Sequence, residues 1–312
     1  MPSFSPQPRL NAISYADAAS AARVQQLATA AEHVDGYAPL NEQALFDLAA
    51  GTRRAWIATA DIDSVALDTA LVVLGSGELD LVVHPDHRRQ GVATALLNVV
   101  LDDANGGGLN AVSTAWAHGD HPGARALADR YQFDAARTLL QLRLGLGDAP
   151  EAPPSEVGPT EAPGPAIEAF RPGRDDADWV ELNALVFADH PEQGSMTLSD
   201  LADRQHEPWF EAGDFLVVRD ALGRLVGYNW LKVEADLGEI YVIGVHPDAA
   251  GQGLGRTLMQ AGLARLRERG CRTAALYVEA DSLGPVHLYR SLGFTDFTID
   301  VQYRRRGEHS TG

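Results

Sequence analysis

Two short stretches carry residue types and spacing suited to holding an anion. In Ala250–Leu258, "AGQGLGRTL", residues with little or no side chain stand where a strand-like run gives way to a helix-like one. Backbone N–H groups and the positive end of a helix dipole converge at such a junction and suit a group such as a pyrophosphate. Arg88–Leu96, "RRQGVATAL", repeats the arrangement with Arg88 and Arg89 ahead of Gly91, adding charge that suits phosphate. A dinucleotide-binding turn is the competing reading. Each loop, however, follows His-Pro-Asp, and no acidic residue ends the next strand at the distance that turn requires. One glycine-rich turn alone is weak evidence; two with the same flanks point to a ligand site.

The elements that position these loops are themselves repeated. At a constant offset Val83 matches Val245, His84-Pro85-Asp86 matches His246-Pro247-Asp248, Gln90-Gly91 matches Gln252-Gly253, and Leu96 matches Leu258. The chain therefore reads as one module used twice, in agreement with a length of 312 residues. Residues 147–165, rich in Pro, Gly, Ala and Glu, read as a linker between domains at 1–146 and 166–312. Each half predicts one or two helices, then short strands, then strand–loop–helix, then strand–helix–strand. "AWIATA", "ALVVLG" and "LDLVVH" are strands of the first half; "FLVVRD", "LVGYNWLKV" and "EIYVIGV" are their counterparts in the second. The run from Arg256 to Gly270 has helical spacing and a glycine stop. The fold class is α/β (α+β mixed sheet), with a largely antiparallel sheet in each domain.

Composition narrows the function. With 25 basic and 43 acidic residues the chain is ill suited to nucleic acid. No apolar run is long enough to span a bilayer, and "MPSFSPQPRL" has no secretory pattern, so a cytoplasmic protein is expected. A lone cysteine, Cys271, gives neither a disulfide framework nor a metal cluster. Lys232 is the only lysine, which singles out one ammonium in a chain otherwise served by arginine. A chance leftover on a strand surface is the plainer explanation for it.

"VHPDAAGQGLGRTLM" followed by "LYRSLGF" resembles the signature of the Gcn5-related N-acetyltransferases. The resemblance implies two tandem Gcn5-related N-acetyltransferase-fold domains, with the Arg/Gln-x-x-Gly-x-Gly/Ala loop holding the coenzyme A pyrophosphate. Arg88 to Ala93 fits that pattern; Ala250 to Gly255 keeps both glycines but has Ala250 where Arg or Gln is usual. "GYAPLNEQ", "HPEQG", "NWLKV", "GEIYVIGVHP" and "LYVEAD" are further similar to a tandem actinobacterial branch of the family. That branch uses acetyl-CoA to acetylate the cysteinyl amine of a cysteine–glucosamine–inositol conjugate. The resemblance implies a small-molecule acceptor, no metal, no nucleic-acid or membrane partner, and a monomer.

Carried over residue by residue, the resemblance implies that Ile243, Gly244 and Val245 hold acetyl-CoA in the second half. Ala250, Gly251, Gln252, Gly253, Leu254, Gly255 and Arg256 follow on its loop, and Ser282, Leu283, Gly284, Pro285, Val286 and His287 on its last helix. In the first half Leu81, Val82 and Val83, then Arg89, Gln90, Gly91, Val92, Ala93 and Thr94, would bind coenzyme A structurally. Ser282 stands where Asn is usual and Gly284-Pro285 where alanines are usual. Pro285 fits a first helical turn.

Transfer to an amine needs a proton acceptor and a donor for the departing thiolate. An α-amino group near ~8 and a thiol near ~8.5 need only modest assistance at neutral pH. By resemblance Glu239 is the general base and Tyr289 the general acid, while Glu42, Glu192, Lys232, Glu239 and Tyr277 contact the acceptor. By residue type alone Glu239 could be a strand-end salt-bridge partner and Tyr289 a core residue. Strand alternation places Glu239, Tyr241 and Ile243 on one face. The gapless counterpart of Glu239 in the first half is Gly77, with Glu78 facing the other way unless a bulge intervenes, and Phe294 matched to Phe133 pairs Tyr289 with Ala128. One working site, in the second half, is expected. Other acceptors of the same fold, a protein N-terminus or an aminoglycoside, and a non-enzymatic acetyl-CoA sensor are the alternatives. His84 and His246 read as loop residues, and Trp116, Trp179, Trp209 and Trp230 as core, although Trp230 neighbours Lys232 and could line the acceptor pocket.

Overall fold

The computed structural model describes residues 9–62, 65–100, 112–147, 166–188 and 193–306. Most of the expected linker, and Glu192, lie outside the described residues. Two compact units divide the chain: residues up to 140 with 279–281 and 298 onward, and residues 141–278 with 282–297. Residues from 298 on, assigned above to the second domain, thus group with the first unit.

The elements of the first stretch of chain are β1 (Arg9–Ile13), α1 (Ala18–Asp35), α2 (Glu42–Ala50), β2 (Arg54–Ile62) and β3 (Val65–Gly75). They continue as β4 (Glu78–Val83), α3 (Val92–Val100), β5 (Thr114–His118), α4 (Pro122–Arg130) and β6 (Phe133–Gly145). The second stretch has β7 (Ile167–Ala169), α5 (Asp176–Val186), α6 (Leu198–Gln205), β8 (Phe215–Arg219) and β9 (Leu225–Glu234). It ends with β10 (Leu237–Val245), α7 (Leu254–Glu268), β11 (Thr273–Glu279), α8 (Leu283–Ser291) and β12 (Thr295–Arg305).

In the first unit β1 to β4 form an antiparallel meander, β5 adds parallel to β4, and β12 pairs antiparallel with β5. In the second, β7 to β10 form the meander and β11 adds parallel to β10. A parallel neighbour requires a crossover, and α3 and α7 supply it. In each unit the strands carry an apolar cluster on both faces. In the second unit one face is aromatic: Trp179, Phe215, Tyr228 and Trp230 are fully buried, with Phe215 and Trp230 stacked at 4.5 Å. Removing one of these large rings would cost about 3–5 kcal/mol. The opposite face packs on α7, which approaches closely at Gly238: a Cβ there would lie 2.4 Å from a Leu266 methyl, which would have to shift.

Candidate active site

Both glycine loops are built alike. In each, a histidine closes a 3-10 turn with its Nδ1, which accepts from the N–H of Asp248 (3.1 Å) or Asp86 (3.3 Å). The glutamine side chain then donates back to the carbonyl of the same aspartate, Gln252 at 3.1 Å and Gln90 at 3.0 Å. His84 and His246 are therefore loop-shaping residues, as expected. Gly251 and Gly253 have φ of 74° and 82°, and a Cβ on either would meet nothing within 4 Å. Glycine is needed here for the left-handed backbone, and open space lies in front of it. Gly253 caps α7 without any side-chain hydrogen bond. The first N–H groups of the helix therefore have no side-chain cap. This is a fit for a pyrophosphate.

The first loop differs in one respect. Arg89 itself takes the left-handed conformation, with φ of 62°, where the second loop has Gly251. Arg88, read above as charge for phosphate, is committed elsewhere: its guanidinium forks onto Asp35 at 2.6 and 2.7 Å and its Nε donates to the Val83 carbonyl at 3.1 Å. A bidentate carboxylate pair satisfies the planar fork and leaves it anchoring the loop to α1. A cavity of about 440 Å³ opens beside this loop, lined by Leu81, Val82, Val83, Arg89, Gly91, Val92, Ala93 and Thr94 among others. Every first-unit cofactor residue named from the sequence lines it except Gln90, whose amide is spent on the turn.

In the second unit Glu239 lies on β10 directly opposite Lys232 of β9 and beside Ala275 of β11. Neighbours in register share a face, so Lys232, Glu239 and Tyr277 project from the same side. The hairpin between β9 and β10 is only Ala235-Asp236, with Ala235 at φ 54°. The Lys232 ammonium sits 5.3 Å from the centre of the Trp209 ring, within cation–π range, and 3.2 Å from Glu234. Trp209 rests against Tyr241, whose hydroxyl accepts from Arg204 Nε at 3.0 Å. Tyr277 is 43% exposed, and its hydroxyl accepts from Gln141 at 2.7 Å. Trp230 is fully buried in the aromatic core, as its residue type suggests. Trp209 is the ring beneath Lys232.

A bulge corrects the face assignment made from strand alternation. The β9–β10 register shifts between Ile240 and Val242, leaving Tyr241 as the extra residue. Tyr241 and Val242 both pack on the aromatic side, while Ile243 and Val245 pack on the α7 side with Leu254 and Leu258. Ile243 therefore faces away from Glu239 and Tyr241, because the extra residue resets the alternation.

The same bulge changes the comparison between the two units. The ladder of β4 on β3 runs without a shift, whereas β10 carries one extra residue. Glu78 pairs with Thr114 of β5 as Glu239 pairs with Ala275 of β11, both pairs 161 positions apart. Glu78, not Gly77, is the counterpart of Glu239. The first unit retains the carboxylate after all, but both oxygens are taken: Oε1 accepts from Arg53 at 2.7 Å and Oε2 from Trp116 Nε1 at 3.1 Å. Arg53, buried, also donates to Asp47 and Asp80. The phenol is missing, since Ala128 holds the place of Tyr289.

Asp80 is fully buried, and burial together with nearby Glu78 raises its carboxyl to about 6 against the pull of Arg53. The folded carboxyl thus binds its proton more tightly than the unfolded one, so this group's contribution to stability falls as pH rises from about 4 to 6. An Asp80→Asn variant escapes that loss. Thermal melting of both proteins at pH 4.5 and 7 should show the variant gaining on the wild type as pH rises; a relative loss would contradict the buried-charge account.

Tyr289 is 8% exposed on α8, its ring edge-on to Phe294 at 6.2 Å, and burial pushes its phenol up to about 12. Ser282 precedes α8 without a side-chain capping bond, and Pro285 falls in the first turn, where its missing N–H is no loss. Leu283, Gly284, Pro285 and His287 are exposed and Val286 is buried. Arg256 donates to Ser291 at 2.7 Å, and Leu254 is buried. Glu42 opens α2 in the first unit. Among the described residues no cluster of His, Cys, Asp or Glu could hold a metal, and no helix is long and apolar enough to cross a membrane.

The model of the acetyltransferase (GNAT) family matches residues 40–133 and again 179–294. The chain belongs to the GNAT family. It is an acetyltransferase, with acetyl-CoA as the donor. This GNAT chain is 47% identical to a mycothiol acetyltransferase from Clavibacter sepedonicus, over 89% of the chain and 90% of that relative. It is 46% identical to a mycothiol acetyltransferase from Sanguibacter keddieii, over 92% of the chain and 94% of the relative. Among solved structures, a GCN5-related N-acetyltransferase from Sphaerobacter thermophilus matches with a TM-score of 0.72 at 21% identity, covering 97% of this chain and 98% of that one. A tandem GNAT protein from the clavulanic acid biosynthesis pathway matches at 0.67 and 16%, covering 95% and 97%. These two establish the fold in tandem.

Proposed function

We propose that this chain is a mycothiol acetyltransferase of the cytoplasm, moving the acetyl group of acetyl-CoA onto the cysteinyl amine of a cysteine–glucosamine–inositol conjugate. The observation that carries the reading is the register that sets Glu239 opposite Lys232 and beside the strand of Tyr277. Base and acceptor contacts then share one face. Glu239 takes the proton of the attacking amine. Lys232, held over Trp209, donates to sugar or inositol hydroxyls. Tyr289 faces the departing sulfur. A phenol near 12 keeps its proton at neutral pH, and handing it fully to a thiolate whose acid ionises near ~8.5 is uphill. The phenol therefore stabilises that sulfur chiefly as a hydrogen-bond donor. The turn at Gly251–Gly253 and the start of α7 bind the pyrophosphate of the donor. The first unit binds coenzyme A without turnover, because Glu78 is held by Arg53 and Trp116.

Comparison of kcat/KM for the conjugate, an aminoglycoside and a peptide N-terminus, with coenzyme A quantified by chromatography, tests the acceptor. The conjugate should exceed the others by a factor of about 10³, since the other amines would leave polar groups of the acceptor site unpaired. A preference for either other amine would replace this acceptor. Lys232→Met should raise the acceptor KM about tenfold or more with acetyl-CoA KM unchanged, the signature of lost uniform binding. A wild-type acceptor KM in that variant would remove Lys232 from the site.

A further inference from the structure

We propose that the cavity of the first unit is an acyl pocket that binds coenzyme A thioesters with chains longer than acetyl. The inference rests on the reading that the first loop holds coenzyme A. Helices α4 and α8 are both nine residues long, and each is followed by a phenylalanine three places on, Phe133 or Phe294. That equivalence puts Ala128 where the second unit has the buried ring of Tyr289. Replacing a phenol by a methyl leaves the volume of a ring, and Ala128 lines the cavity. Leu79, Leu97, Leu127 and Phe133 line it with Ala128, and all belong to or pack on one apolar cluster.

Three tyrosines also border the space: Tyr37, whose ring end lies against Gly119, and Tyr131 and Tyr303, whose hydroxyls are spent elsewhere. Tyr131 donates to Asn98 at 2.8 Å and Tyr303 to Asp120 at 2.8 Å. They offer ring faces. The same cavity reaches Gly91 and Val92 at the start of α3, where an anion would be held. One continuous space therefore joins an anion turn to an apolar recess, the shape a thioester with an aliphatic tail fills. With Ala128 in place of a proton donor and Glu78 held in its ion pair, the thioester stays intact there.

Calorimetric titration of the full chain with acetyl-CoA and butyryl-CoA tests this. Each buried methylene tightens binding about fourfold, so butyryl-CoA should bind the first-unit site about 15-fold more tightly than acetyl-CoA. The second site should show no such gain. Ala128→Tyr should erase the difference at the first site while leaving acetyl-CoA bound. Leu97→Phe, which narrows the recess from α3, serves if Ala128→Tyr melts early. Two sites with equal affinity for both thioesters, or a gain that survives in a folded Ala128→Tyr protein, would overturn the acyl pocket alone. A single site in the wild type would overturn it together with the reading that the first loop holds coenzyme A.

Discussion

Glu239→Gln should lower kcat by a factor of about 10²–10⁴, the usual contribution of a positioned general base. The amide has the shape of the carboxylate and cannot accept the amine proton. The strand that carries it is fixed by pairing to β9 on one side and β11 on the other, so the fold has no reason to move. Acetyl-CoA binding depends on the loop at Gly251–Gly253 and should stay within about twofold. Steady-state kinetics with both substrates varied separates these effects, and a kcat above about a tenth of wild type would remove Glu239 as the base. Glu78→Gln makes the contrast. Glu78 partners a buried arginine, so its loss should lower the melting temperature and leave turnover in place.

That contrast depends on a feature hidden in the sequence. The repeat was legible because His-Pro-Asp and Gln-x-Gly recur at one offset, and the structure makes both into the same turn. The strands around each loop were legible from their apolar runs. The bulge at Tyr241 was not. A single extra residue leaves the hydrophobic pattern of β10 alternating, since Val242 and Gly244 stay buried while Tyr241 and Ile243 stay half-buried. Only the ladder shows that the face has changed. A gapless match then put Gly77 opposite Glu239 and hid the retained carboxylate. Arg88 misled in another way. Its type suits phosphate, but its partner Asp35 lies 53 positions away, and no local pattern announces such a pair. Nothing in the local sequence sets Trp209 apart from the other tryptophans, because the fold alone brings it under Lys232.

Gly253→Val should raise the acetyl-CoA KM by about 10–100-fold, equivalent to losing one or two charge-assisted hydrogen bonds. At φ 82° a β-branched residue is strained, and its side chain enters space that no protein atom occupies within 4 Å. That space lies where the uncapped start of α7 faces out, so strain and obstruction fall on the same anion site. Gly255→Ala is the control. A Cβ there meets only Leu288 at 3.7 Å and Val245 at 3.9 Å, ordinary contact distances. Its acetyl-CoA KM should stay near wild type. Equal losses in both variants would mean that α7 itself had been disturbed, and equal retention would move the pyrophosphate away from this turn.

The most direct measurement is of the product. The purified chain, acetyl-CoA and the cysteine–glucosamine–inositol conjugate should yield one new species bearing a single acetyl group. Fragmentation should place that group on the cysteinyl nitrogen with the thiol free, and its formation should cease in Glu239→Gln. Acetyl on the thiol or the sugar, or a conjugate recovered unchanged while another amine is consumed, would contradict the account.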